Sequence, residues 1–478
     1  MEEIRLIPLI IVGFYLVGLV IFGIIVGKFF IKDSKDYMLA GRRMGIFMVG
    51  ISLAAVNIGG GSTVGVATRA FSGWGLSAAW FVLAASVAMI PISYFAPRIR
   101  RTMAYTIPEI IYRRFGVSAG ISTAVLSVVS LFLLTSSQVV AASTILSALT
   151  GLPFNISVII AISVILIYTC MGGMTADMYS DVIQFCVLFI GLLISIPFIL
   201  NGVGGYEGMV SNLPAGEMSF TKIGWTMIIS LIINYFCTFL SGPEMMARVY
   251  SAEDEKKAQK GALLSAVIMA CVAFIPTIIG LAALSANPDL DGGTGASALI
   301  WAATTYTPDV VIGFVAAAII SATMSSADSN LICASTIIIK DIYQKHINKN
   351  PLTEKRIVML TRTSNVCLGI LAACIALFRV DIITMNIFAF ALRSAGPFAA
   401  YVLGIFWAKS TPNSGLPAIL MGSVVAITWQ IMGVPFGVMS VVVGAAASTL
   451  TFVLITTIES KRGVAPAPAP NAPDAKDE

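Results

Sequence analysis

Apolar runs of about 20 residues, the length that crosses the hydrocarbon core of a bilayer, recur along the whole of this chain. Only 11% of its residues are charged, against about 25% in a typical soluble domain. Mean hydropathy is +0.93. The sequence therefore predicts an all-α polytopic membrane protein, with backbone polar groups satisfied inside each span. Thirteen spans are expected, near 7–30, 46–69, 74–96, 117–149, 153–173, 178–202, 223–243, 260–284, 309–343, 357–378, 383–408, 414–433 and 436–458. The first run is too long for a signal h-region and is read as a retained span.

The basic residues orient these spans. Alternate loops carry Lys28, Lys32, Lys35, Arg42 and Arg43, then Arg98, Arg100, Arg101, Arg113 and Arg114, then Arg248, Lys256, Lys257 and Lys260. Lys340, Lys345, Lys349, Lys355, Arg356, Lys409, Lys461, Arg462 and Lys476 continue that side. The opposite side holds Arg5, Arg69, Lys222 and Arg379. The positive-inside rule places the rich side in the cytoplasm, with the N-terminus outside and the C-terminus inside, as an odd number of spans requires. The Pro/Ala-rich segment 463–478 reads as a disordered cytoplasmic tail.

Two spans carry their own breakers. At AVNIGGGST, residues 55–63, three glycines stand mid-span, and at NYFCTFLSGPE, residues 234–244, a Gly-Pro pair follows a polar-sprinkled stretch near the end of its span. Glycine costs a helix about 1 kcal/mol relative to alanine. A broken helix in lipid is tolerated where it lines a protein cavity. Its freed carbonyls then suit a dehydrated cation and its helix N-termini an anion. Close packing through small residues is the other reading of Gly59–Gly61. The breaks are five spans apart, so two five-helix units are expected, about 46–202 and 223–408, the second inverted relative to the first.

Oxygen-bearing side chains cluster on one later span. In SATMSSADSN, residues 321–330, Ala322, Ser325, Ser326 and Ser329 fall at helical spacing on one face, with Asp328 beside them. Hydroxyls and a carboxylate at mid-membrane suit a hard cation. Serine back-bonding or small-residue packing is the plainer account. An intramembrane aspartate costs roughly 2.5–3.5 kcal/mol and normally has a partner and a role. Asp181, with Gln184 near it, is a second such acid, or a helix N-terminal acid meeting the dipole. Arg393 either pairs with a buried acid, the favoured reading, or receives a solute carboxylate. Asn57 and Asn234 lie at the two breaks and either bind ligand or satisfy unwound backbone.

Taken in order, DYMLAGRRMG (36–45), SLAAVNIGGGS (52–62), YTCMGGMTADMYSDVIQ (168–184), GPEMMARVYSAEDEKKAQKG (242–261) and ISATMSSADSNLICASTIIIKDIY (320–343) resemble the sodium:solute symporter family. The resemblance covers nearly all of 7–458 and implies a LeuT-type 5+5 inverted-repeat core. It implies a sodium ion held by the carbonyls of Ala55, Ile58 and Ala322 and the hydroxyls of Ser325 and Ser326. A second sodium, or a proton, would use Asp181, Asp328, Ser325 and Ser329. The solute would meet Asn57, Gly60, Tyr235 and Phe239. Asp328 stands where many members carry serine. SSADS is similar to the choline-transporting branch, although Asn57 stands where that branch carries tryptophan.

The expected function is Na+-coupled import of a small organic solute (an amino acid, a carboxylic acid or a pantothenate-like compound) across a cell membrane by alternating access. A proton-coupled transporter of the same fold and a non-transporting membrane sensor are the alternatives. No nucleic-acid partner is expected, and oligomeric state is not readable. No Walker A motif is present, so no ATP-driven motor is visible. The seven cysteines form no CxxC pair and His346 is the one histidine. A metal-centred or Ser-His-Asp enzyme is accordingly not expected.

Overall fold

The computed structural model describes residues 5–470 apart from 296, 349 and 381. Among the described residues there is no strand, only an isolated bridge between Met44 and Ala252. The first helix, α1 (Leu6–Phe30), is apolar all round, which suits a helix with protein on one side and lipid on the other. It packs on α5 and α10, defined below.

The first break falls where the glycines predicted. Helix α2 (Ile46–Asn57) stops as Ile58 leaves helical geometry, and the chain re-enters through π turns at Gly61–Gly65 and a short helix, Val66–Arg69. Helix α3 (Trp80–Arg101) and α4 (Ile107–Thr150) follow. The Thr106 hydroxyl caps α4 by accepting from Glu109 N at 3.1 Å, and a left-handed Gly116 divides that helix. Helix α5 (Phe154–Gly202) has 49 residues, with a left-handed break at Gly173. The second predicted break separates α6 (Trp225–Leu240) from α7 (Pro243–Ser251), which bend by 58°. Pro243, at the start of α7, has no N–H to lose there.

Helices α8 (Glu255–Val272) and α9 (Phe274–Ala286) lead to α10 (Asp309–Ile337), which runs on as π turns to Ile347. Helix α10 is the axis of the fold: 89% of its apolar window is buried inside the protein. Helix α11 (Glu354–Ala376) is followed by α12 (Ile382–Phe390), π turns at Ala391–Ala395, and α13 (Pro397–Phe406). Met385–Ala395 and Pro397–Phe406 are bent by 40° around Gly396, a third interruption that the sequence reading did not anticipate. Helices α14 (Gly415–Ile431) and α15 (Ser440–Lys461) close the chain.

The expected count of thirteen spans is not established. Among the described residues, nine helices are long and apolar enough to cross a membrane, or eleven if each bent pair is one span. Helix α2 falls short because its 12 residues end at the break. Helix α5 counts once, yet at 1.5 Å per residue it is about 74 Å long, over twice the hydrocarbon thickness.

Of the expected tail, Ala467 is buried and Ala467 and Pro468 are held by the protein, while most of 463–470 is exposed. Ala467 N donates to Ser410 O at 2.7 Å, and the buried Arg114 donates to Pro468 O at 2.7 Å. Residues 471–478 lie outside the described residues.

Helix α9 crosses the second half of the first broken span at backbone contact. A Cβ on Gly280 would stand 2.3 Å from Ala67 O. Gly280→Val should therefore cost about 1–3 kcal/mol through overpacking, seen as a lowered Tm in detergent. Gly13→Ala, inside α1 with nothing within 4 Å of the added carbon, should leave Tm no lower, and raise it if alanine's helix propensity is realised.

Candidate functional site

Helix α10 meets the first break side on. Ser326 Oγ donates to Val56 O at 2.9 Å and to Ala322 O at 3.3 Å. A Cβ on Gly59 would lie 2.8 Å from Ser326 Oγ and 3.0 Å from Gln138 Oε1. Close approach, not unusual backbone dihedrals, is what requires glycine there. Ala55 O accepts from Ile58 N at 3.2 Å. The structure thus brings Ala55, Ile58, Ala322 and Ser326 to one seam. Ser325 points to the adjoining acid cluster, donating to Asp181 Oδ1 at 2.5 Å.

That cluster is organised by Arg248, which sequence reasoning had grouped with the cytoplasmic cations. It is fully buried. The α7 backbone, restarted by Pro243, carries it into the core. Its Nη2 donates to Asp177 Oδ2 at 2.7 Å, to Asp181 Oδ2 at 3.1 Å and to Ser329 Oγ at 2.5 Å. Its Nε donates to Ser52 Oγ at 2.8 Å and its Nη1 to Glu244 O at 3.0 Å. Ser52 in turn donates to Asp181, and Ser329 to Asp177 Oδ1 at 2.8 Å. Asp177 was also missed, although it lies one turn from Asp181, on the same face of α5.

Asp328 completes the group. Its Oδ1 accepts from Ser329 N at 2.8 Å, while its buried Oδ2 has no hydrogen-bond partner. Two carboxyl groups, Asp177 and Asp181, thus share one guanidinium, with the buried Asp328 beside them on α10. Burying unpaired charge is costly, and Asp328 Oδ2 is such a group.

A cavity opens between the two breaks, with about 60 Å³ of space for water centres, room for roughly four to six waters. Asn57, Tyr235 and Phe239 line it as expected. Gly60 does not. It turns toward α4, its N–H donating to Gln138 Oε1 at 3.1 Å and its α-carbon facing Ala141. Gly59 and Gly61 face the cavity instead, because rotation in an unwound segment follows no helical period. Asn234, at the second break, is buried but not in that lining. Gln138, Asn330 and Asn386 contribute amides that the sequence reading did not single out. Tyr235 lies tilted against Phe239, ring centres 5.2 Å apart, and makes an edge-to-face contact with Phe81 at 5.7 Å. Arg393 and Glu244, an ion pair joining the third interruption to the second, also reach the cavity wall.

Interrupted helices meeting around a polar, protein-lined cavity are the core of a secondary transporter. The sodium:solute symporter family model matches residues 37–422, and this chain belongs to that family. It is 23% identical to the osmoregulated proline transporter OpuE of Bacillus subtilis (strain 168), over 90% of each chain. It is 26% identical to the sodium/glucose cotransporter of Vibrio parahaemolyticus, over 90% of this chain and 85% of the relative. Among solved structures, a substrate-bound, outward-open Na+-coupled sialic acid symporter superposes with a TM-score of 0.84 at 19% identity, over 97% of this chain and 98% of that one. The fold is therefore LeuT-type. The protein is a multi-pass membrane protein, a Na+-coupled solute symporter, and its relatives are transporters, which are not enzymes.

Arg248→Met would leave Asp177 and Asp181 without their counter-charge. Removing one member of a buried pair costs about 3–5 kcal/mol, so little folded protein should be recovered on size exclusion. Arg248→Met combined with Asp177→Asn should recover more folded protein than Arg248→Met alone.

Proposed function

We propose that sodium binds at the seam between the first break and α10, held by the carbonyls of Ala55, Ile58 and Ala322 and the hydroxyls of Ser325 and Ser326. The observation that carries this reading is the Ser326 Oγ contact with Val56 O, 2.9 Å across the two elements. An ion there would draw the broken span and α10 together and complete the cavity wall. The solute would lie between the breaks, near Asn57, Tyr235 and Phe239, with Gly59 and Gly61 in the place expected of Gly60.

The solute is of amino-acid size. The small cavity supports this, as do its amides and the opposite charges of Glu244 and Arg393. Proline and glucose, named for the relatives, bracket that size. Inward movement of one charge through 100 mV supplies about 2.3 kcal/mol, and each 1.4 kcal/mol is tenfold in concentration. One sodium per solute then supports accumulation of tens-fold. The repeats are placed at about 46–202 and 223–408, with the N-terminus outside and the C-terminus cytoplasmic, on the charge asymmetry of the loops.

The Asp181, Asp328 and Ser329 cluster, joined by Asp177, is assigned a second cation. The unpartnered Oδ2 of Asp328 favours a proton there, which keeps the proton-coupled reading as the alternative.

The primary test is uptake into proteoliposomes of radiolabelled proline and a panel of other small solutes, in sodium and in potassium. Uptake should require sodium. Ser325→Ala and Ser326→Ala each remove one ligand dipole from a cation, worth about 1.5–3 kcal/mol. Each should therefore raise the half-saturating sodium concentration by about 10–100-fold. Uptake indifferent to sodium, and to both substitutions, refutes the seam site. Asp328→Asn should lower the charge moved per solute in solid-supported-membrane recordings, while leaving dependence on sodium. An unchanged charge ratio removes the second cation.

A further inference from the structure

Away from the transport pathway, a groove of about 310 Å³ opens between the end of α1 and the start of α11. It lies on the side that the loop charges assign to the cytoplasm. Lys32, Lys355 and Arg362 line its mouth, and Ile31, Val358 and Met359 form its wall. Two acids also line it, but both are committed. Asp33 Oδ1 accepts from Asp36 N at 2.7 Å, capping the short helix Ser34–Leu39, and Glu354 Oε2 accepts from Ser34 N at 2.9 Å. Lys32 and Lys355, by contrast, make no ion pair among the described residues. Arg362 is fixed rather than free to swing, its guanidinium 5.6 Å from the centre of the Tyr37 ring.

The groove continues into apolar surface. Phe29 is 66% exposed and Met359 57%, and toward the membrane centre Ile25 on α1 and Ile370 on α11 face outward. A polar, cationic mouth above two apolar helix faces matches one occupant in both halves: a phosphodiester headgroup with its acyl chains. The space is ample for a phosphate and a glycerol unit. Basic pockets between spans on the cytoplasmic side are where anionic headgroups lodge.

We infer that the groove between α1 and α11 is a binding site for an anionic phospholipid of the inner leaflet, its phosphate held by Lys32 and Lys355 with Arg362 behind them. Helix α1 precedes the stretch that matches the family model, and the lipid would tie it to α11. The site is independent of the solute cavity.

The experiment is native mass spectrometry and thermal unfolding of the full chain in detergent. The added probes are phosphatidylglycerol, phosphatidylcholine, or inorganic phosphate with glycerol 3-phosphate. The expected result is one retained phosphatidylglycerol and a rise in Tm of a few degrees, absent with the other two probes. Lys32→Ala with Lys355→Ala should abolish both effects, whereas Lys461→Ala with Arg462→Ala should keep them. If the first pair yields no folded protein, Lys355→Gln alone is read in the same way. Equal retention of phosphatidylcholine overturns the inference. So does persistence of the effect in the groove variants, or its reproduction by the soluble phosphates.

Discussion

A single buried guanidinium holds the centre of this molecule. Arg248 reaches Ser52 on α2, Asp177 and Asp181 on α5, the Glu244 carbonyl on α7 and Ser329 on α10. Its rigid fork of donors suits this task in a way lysine's point charge does not. Hydrophobic attraction does not drive helices together inside a bilayer, since lipid tails are as apolar as leucine. Polar contacts of this kind must then supply register, and four helices take theirs from one side chain.

The same cluster connects structure to transport. The seam at Ser326 and the acid group at Asp181 share α10 and are bridged by Ser325. A cation entering either place changes the electrostatics of the other across a few ångströms of low-dielectric interior. The cavity wall and the seam share two elements, the broken span and α10.

Much of this was legible in the sequence because it follows a period. The hydroxyl stripe on α10 obeys helical spacing, and the breaks at Gly59–Gly61 and Gly242–Pro243 announce themselves through residues that resist helix. What escaped is marked less plainly, or its mark was passed over. Arg248 lies close in sequence to a charged loop and was counted with it, since only packing shows that α7 turns inward. Which of three consecutive glycines faces the cavity depends on dihedrals in an unwound segment. The bend at Gly396 follows the π turns at Ala391–Ala395 and carries a Gly-Pro pair, Gly396–Pro397, like the one at the second break, and the break at Gly173 left two expected spans within one long helix. Asp177 was readable, one turn before Asp181, had the search asked for paired acids on a face.

The Ser326 hydroxyl has one proton and two lone pairs. The proton is directed at backbone oxygen, to Val56 O across the seam and to Ala322 O on its own helix. A hydroxyl so committed presents its electron-rich side to anything else that approaches. Neutral donors and metal cations can be welcomed there; a carboxylate or a carbonyl cannot. The fastening that joins the broken helix to its neighbour thus also leaves the electron-rich side of one oxygen at the seam.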